Sequence, residues 1–231
     1  MRAASWKVVV TAGLLGLASA ASAQGVQPAP SAQPEGSRAP AEIRVPEGSG
    51  VPVITDGLFS PGEWDDAHRQ ALTPSVQLYV KQYRGVVFIG VRGEGPAGIG
   101  PSGLFLAVPG GPIHELHVSA QLGERVLPAV GEGPPFRFGY TSDWYANEQR
   151  RDMQEAERLR KEGKDPIAIM IATAFPADGI EFAIRRSKLP GPRWLMRLAA
   201  SALEGGRPGM LVHPAGAPER TTDGWQALRL D

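Results

Sequence analysis

The chain has 231 residues, with Lys+Arg 24 against Asp+Glu 24 and no cysteine. This balance leaves no electrostatic footprint for nucleic acid or an anionic membrane surface, and the missing thiols exclude disulfides, a lipidated cysteine anchor, thiolate metal sites and cysteine nucleophiles. Hydrophobic packing alone must hold the fold, and the high counts of Gly (29) and Pro (22) suit an all-β domain with many turns.

Residues 1–23 read as an export signal. Arg2 and Lys7 precede or flank an apolar run from Val8 to Leu17, and Ala21-Ser22-Ala23 before Gln24 is an A-x-A cleavage site. The run is too short to span a bilayer, so the mature chain is expected to start at Gln24, without a membrane span, in the periplasm or outside the cell. Residues 24–50 are rich in Pro, Ala, Ser, Gly and Gln and are expected to be a disordered tether. The folded module is then 51–231.

Within it, Val51, Val53 and Ile54 form a first strand that stops at Asp56-Gly57. Ser60-Pro61-Gly62-Glu63-Trp64 follows as a capped turn, with Glu63 at the capping-box position, and sets Trp64 down on the core. Val76, Leu78 and Val80 alternate with polar residues, Tyr83-Arg84-Gly85 turns the chain, and Val86 to Val91 is apolar enough for a central strand. Gly93 to Gly103 is a loop by composition, Leu104 to Val108 a strand, and Pro109 to Pro112 a break. From Ile113 to Leu122 a longer strand places His114, Leu116 and Val118 on one face and Glu115, His117 and Ser119 on the other.

A helix is predicted over 142–163, with Ser142 as its cap, Arg158, Arg160 and Lys161 near its end and Gly163 as its stop. Its apolar stripe is thin, which makes it an insertion over an edge of the strands. Ile167, Ile169 and Ile171 pair with Ile180, Phe182 and Ile184 in a second predicted hairpin. Trp194 to Ala200 and Trp225 to Leu230 complete the strands. Together these elements predict a two-sheet antiparallel β-sandwich, immunoglobulin- or jelly-roll-like, with one inserted helix.

The turn D-G-L-F-S-P-G-E-W from Asp56 to Trp64, the strand and hairpin after it, the stretch I-E-F-A-I-R-R-S-K-L from Ile180 to Leu189 and the closing G-W-Q-A-L-R-L resemble the family 9 carbohydrate-binding modules. The resemblance implies a non-catalytic sandwich that binds a glycan or cell-envelope sugar. Pro and Gly stand at 109–112 where the family carries acidic residues, so calcium is unsupported and no cofactor is expected.

A sugar site needs an aromatic plate for the C–H face of a pyranose and polar groups for its hydroxyls. Trp144 and Tyr145, with Tyr140 and Arg137 nearby, are the candidate group; the competing role for the two aromatic rings is to pin the inserted helix. His114-Glu115-Leu116-His117 lacks the spacing that puts two histidines on one face, so no metal site is assigned. No catalytic residue is assigned either. Asp65, Asp66, Glu115 and Asp143 are carboxylates without a placed partner, and no G-x-S-x-G is present. Three alternatives stand beside sugar binding: an envelope interaction or structural protein that has lost the site, a haem-binding sandwich drawing on His114, His117, Met170 or Met196, and a glycoside hydrolase or accessory to one.

Overall fold

In the computed structural model, residues 40–94, 99–119, 121–128, 130–139, 141–147, 158–164, 178–204 and 207–230 are described. Among the described residues thirteen strands run in order: β1 Ile43–Val45, β2 His68–Thr73, β3 Val76–Tyr83, β4 Val86–Gly93, β5 Ile99–Ala107, β6 Ile113–Val118, β7 Leu122–Leu127, β8 Arg137–Phe138, β9 Trp144–Ala146, β10 Gly179–Arg185, β11 Arg193–Glu204, β12 Arg207–His213 and β13 Gln226–Leu230. They form an eight-stranded sheet, β1-β13-β11-β5-β6-β7-β8 with β12 also on β11, and a five-stranded sheet, β2-β3-β4-β10-β9. This is the predicted sandwich.

The period-two pattern supplies the core. Leu78 and Val80 on β3, Ile89 and Val91 on β4, and Ile180, Phe182 and Ile184 on β10 join Leu104, Leu106, Leu116, Trp194, Met196 and Leu228 of the larger sheet in one buried cluster. Arg84 and Gly85 both have positive φ, 49° and 77°, as a two-residue hairpin turn between β3 and β4 requires.

Several expectations are corrected. The tether does not extend to residue 50: Ile43 and Val45 are buried, and β1 pairs in parallel with β13 through Ile43↔Leu228 and Val45↔Leu230. Two apolar residues flanking Arg44 are enough to make a short edge strand where β13 offers a free ladder. The predicted helix does not begin at 142. Thr141 Oγ1 accepts the N–H groups of Asp143 and Trp144, a local turn that uses the donors a helix start would need, and 144–146 become β9, paired antiparallel with β10. Helix is present at 158–161, while 148–157 lies outside the described residues. Residues 51–54 carry no strand, β5 begins at Ile99 inside the expected loop 93–103, and the strand expected over 113–122 breaks after Val118 into β6 and β7. The second predicted hairpin rests on 167–172, which lies outside the described residues; β10 itself pairs antiparallel with β4 and with β9.

Chain from 46 to 67 covers the outer face of the five-stranded sheet. Trp64 is 3% exposed and packs with Val53, Tyr79 and Phe88. Its indole N–H donates to Glu181 Oε1 at 2.8 Å, and the backbone N–H groups of Asp56 and Gly57 donate to Glu181 Oε2 at 3.1 and 2.8 Å. Glu63 Oε2 accepts from Ser60 N at 3.1 Å, as the capping box predicts, and Glu63 Oε1 accepts from Ile54 N. Gly90 lies between Tyr79 and Glu181 in the ladder, and a Cβ there would sit 2.9 Å from both Phe59 Cε1 and Trp64 Cζ2. Gly90→Ala is therefore expected to cost about 1–3 kcal/mol by overpacking, read as a lower urea midpoint at unchanged m-value.

Candidate functional site

The outer face of the eight-stranded sheet is covered only in part. Over Phe105 of β5, the chain from Ala217 to Trp225 packs down, with the Phe105 and Trp225 rings edge-on at 6.3 Å. Toward β8 the face opens. Here the ladder aligns Gly103, His117, Gly123 and Phe138 in one row and Phe105, Glu115 and Arg125 in the next. Alternation puts Leu116, Val118 and Leu122 in the core and leaves His117 and Gly123 outward.

Glycines flank His117 on both sides, and this shapes the surface. A Cβ on Gly123 would lie 2.9 Å from Phe138 Cδ1, so the absence of a side chain lets the Phe138 ring lie against the sheet. Phe136 continues the aromatic surface, with its centroid 5.8 Å from Phe138 and 5.1 Å from His117. The Arg125 guanidinium stands 4.3 Å from the Phe136 centroid and donates from Nε to Glu115 Oε2 at 2.6 Å. Phe138 is 58% exposed.

Burial pushes the Glu115 carboxyl up while Arg125 pulls against it, and the balance is a raised pKa. Burial and then the Arg125 charge hold His117 below its ordinary value, so at neutral pH it presents an uncharged imidazole with one donor and one acceptor. The row therefore offers two aromatic faces, a neutral imidazole and a guanidinium. At the far end of the same face lies a cavity of about 280 Å³, lined in part by Ile113, Leu127, Arg220, Thr221, Thr222 and Asp223.

The group expected from sequence is placed differently. Trp144 is 3% exposed and lies in the inter-sheet core, so its ring faces packing atoms and is corrected from a sugar plate to a core residue. The structure does bring Trp144 and Arg137 together, on a shared acid: Glu124 Oε2 accepts from Trp144 Nε1 and from Lys188 Nζ, each at 2.7 Å, and Glu124 Oε1 accepts from Arg137. That knot ties β7 and β8 to β9 across the open edge of the sandwich. Burial pushes the Glu124 carboxyl up, but the Lys188 and Arg137 hydrogen bonds bring it below its usual value. Tyr145 is half-buried against the core, and Tyr140 lies outside the described residues.

The other candidates fall apart spatially. His114 and His117 are on opposite faces of β6, Met196 is fully buried, and Met170 lies outside the described residues. No group of three His, Cys, Asp or Glu side chains among the described residues could hold a metal ion. Burial pushes the Glu181 carboxyl up to about 8, but it is sealed beneath Trp64 and cannot reach a glycosidic bond. No described helix is long and apolar enough to cross a membrane.

No protein-family model and no curated protein matches the chain. It is similar in structure to a family 9 carbohydrate-binding module from Caldicellulosiruptor kristjanssonii in complex with cellotriose, at 11% identity and TM-score 0.42 over 83% of this chain and 94% of that one. A second solved structure, of a candidate carbohydrate-binding protein from Bacteroides uniformis, aligns at 9% identity and TM-score 0.38 over 68% of this chain and 78% of that one. The likeness is one of fold alone.

Phe136 and Phe138 were not singled out from the sequence. The signal available was the F-R-F alternation from Phe136 to Phe138, which sets two rings on one side and Arg137 on the other.

Proposed function

We propose that this is an exported, non-catalytic carbohydrate-binding module whose binding surface is the outer face of the eight-stranded sheet at β6 to β8. The observation that carries the reading is Phe138, lying open to solvent over Gly123 beside Phe136 and His117. A pyranose places its C–H face on the ring plates, and the imidazole and the Arg125 guanidinium stand where its equatorial hydroxyls need a donor and an acceptor. The site is built on strands, so little ordering is required when a ligand arrives. Export rests on the signal-like residues 1–23.

Calorimetric titration against a panel of oligosaccharides tests the proposal. Weak, millimolar-range binding is expected, falling about tenfold in Phe138→Ala with no change in melting temperature, because that ring is mostly outside the core. Absence of heat with every saccharide at millimolar concentration would remove the proposal.

A further inference from the structure

Resting on the carbohydrate reading, we infer that the cavity over Ile113 and Leu127 is a second subsite of the same site, for an uncharged, hydroxyl-rich sugar unit, and that the ligand is therefore an oligosaccharide rather than a single sugar. The outer face of β6 and β7 is the floor of a trough. Three ladder rows follow one another along it: His117 with Gly123, Glu115 with Arg125, and Ile113 with Leu127. One wall is the chain running into β8. Phe138 lies over Gly123, Phe136 lies under the Arg125 guanidinium, and a Cβ on Gly133 would stand 2.9 Å from Leu127 Cδ2. The other wall is the chain from 217 to 225, which packs over Phe105 and reaches the cavity at Thr221, Thr222 and Asp223. The aromatic plates stand at the His117 end of the trough and the cavity at the Ile113 end.

This second wall is held in place without a ligand, so little ordering is required when one arrives. Trp225 donates from Nε1 to Pro218 O at 2.7 Å and from its backbone N–H to Thr222 O at 3.2 Å, and Arg197 Nε donates to Ala217 O at 3.0 Å. The Thr221 hydroxyl donates to Asp223 Oδ2 at 3.0 Å, which fixes the carboxylate and leaves Oδ1 without a hydrogen bond among the described residues. Asp223 is exposed, whereas Nη1 of Arg220 on the same wall is buried beyond a ligand's reach. The carboxylate and the threonine hydroxyls therefore set the chemistry of the cavity.

An apolar floor with a few polar groups at its rim is what a pyranose needs: its C–H surface lies on Ile113 and Leu127, and its hydroxyls donate to Asp223. A charged acceptor makes the stronger hydrogen bond, and the same charge turns away a sugar that carries a carboxylate of its own. At about 280 Å³ the cavity admits one such unit. Ile113 and His117 are four residues apart on β6, roughly 13 Å along an extended strand, so a chain touching both ends has about three linked units. Its middle unit crosses Glu115 and Arg125, whose charges already meet each other at 2.6 Å.

The test is a length series of cello-, xylo- and manno-oligosaccharides, from the monosaccharide to the pentasaccharide, titrated calorimetrically into the full mature chain at neutral pH. In the series that binds, affinity is expected to rise about tenfold from disaccharide to tetrasaccharide and then level off. Asp223→Ala should bring the longer chains down to the disaccharide's affinity at an unchanged melting temperature. Asp223→Asn keeps an acceptor for Thr221 and for a sugar hydroxyl, so it should keep most of the rise. It should also narrow the gap between the neutral tetrasaccharide and the uronate of the same linkage, which the wild type binds more weakly. Phe138→Ala should weaken every length alike. Affinity that stops rising at the disaccharide, or a rise that survives Asp223→Ala, overturns the second subsite and leaves the carbohydrate reading standing. Uronate binding as tight as that of the neutral tetrasaccharide overturns it too, because the Asp223 charge is then not felt by the ligand. Heat from no saccharide of any length overturns the carbohydrate reading and the subsite with it.

Discussion

Glu181→Ala is expected to destabilise the protein by about 3 kcal/mol or more, measured as a shift in the urea midpoint. The side chain is fully buried and is the shared acceptor for Trp64 Nε1, Asp56 N and Gly57 N. Its removal leaves three donors unmet and frees the segment that covers β3, β4 and β10. A second measurement separates charge from contact. Burial raises the carboxyl to about 8 against the pull of the Trp64 and Gly57 N–H groups, with Glu63 and Asp56 adding to the rise. A group whose folded pKa lies above its unfolded value of 4.5 contributes stability that is complete below 4.5 and is lost as pH rises through about 8. Wild-type stability should therefore fall between those limits, and Glu181→Gln, which keeps one acceptor and cannot ionise, should flatten that part of the profile. An unchanged profile in Glu181→Gln would show that this carboxyl does not titrate there.

Asp66→Ala is expected to cost about 3–5 kcal/mol, because it strands a buried cation. Lys81 is fully buried on the outer side of β3, and its ammonium donates to Asp66 Oδ1 at 2.7 Å, Glu63 O at 2.7 Å and Val51 O at 3.1 Å. The other Asp66 oxygen accepts the N–H groups of Ser49 and Gly50, both at 3.0 Å, so one carboxylate ties the incoming chain to the turn and to the sheet. Lys81→Met, which removes the buried charge and keeps the length of the stem, should be markedly milder than Asp66→Ala. Burial pushes the Asp66 carboxyl up, but the Lys81 bond and the Gly50 N–H outweigh it and leave the pKa below 3.8. Its contribution is present above pH 3.8 and lost as pH falls through the folded value, the opposite sense to Glu181. Equal losses in the two variants, followed by chemical denaturation, would show that the ion pair is not what holds this segment.

The D-G-L-F-S-P-G-E-W turn was legible because each feature is local. Asp56 and Gly57 turn the chain, Ser60 and Glu63 cap one another, and Trp64 is large and apolar. Its partner was not. Glu181 sits 117 residues beyond Trp64 in an alternating strand, where a polar position reads as solvent-facing. It is buried because the outer face of that sheet carries a second layer, and no periodicity announces a layer made of loop.

The same difference explains the site. Trp144 looked available because Ser142 and Asp143 resemble a helix start; Thr141 used those backbone donors in a turn, and the aromatic pair joined an edge strand. Phe136 and Phe138 are ordinary apolar residues in the sequence. They form a surface only because Gly123, on the neighbouring strand, leaves space for Phe138 and His117 comes alongside.

By itself the sequence determined the sandwich, its main strands, the β3–β4 turn and the burial of Trp64, since alternation, turn residues and capping act over a few residues and recur along the chain. Tertiary structure decided which faces are covered, that 43–45 is a strand and that 144–146 is not helix. It also decided which side chains meet at Glu124, at Glu181 and over Gly123. Those outcomes depend on ladder register and on layers contributed by distant segments, and a shift of one residue in either would turn each of these side chains to the opposite face.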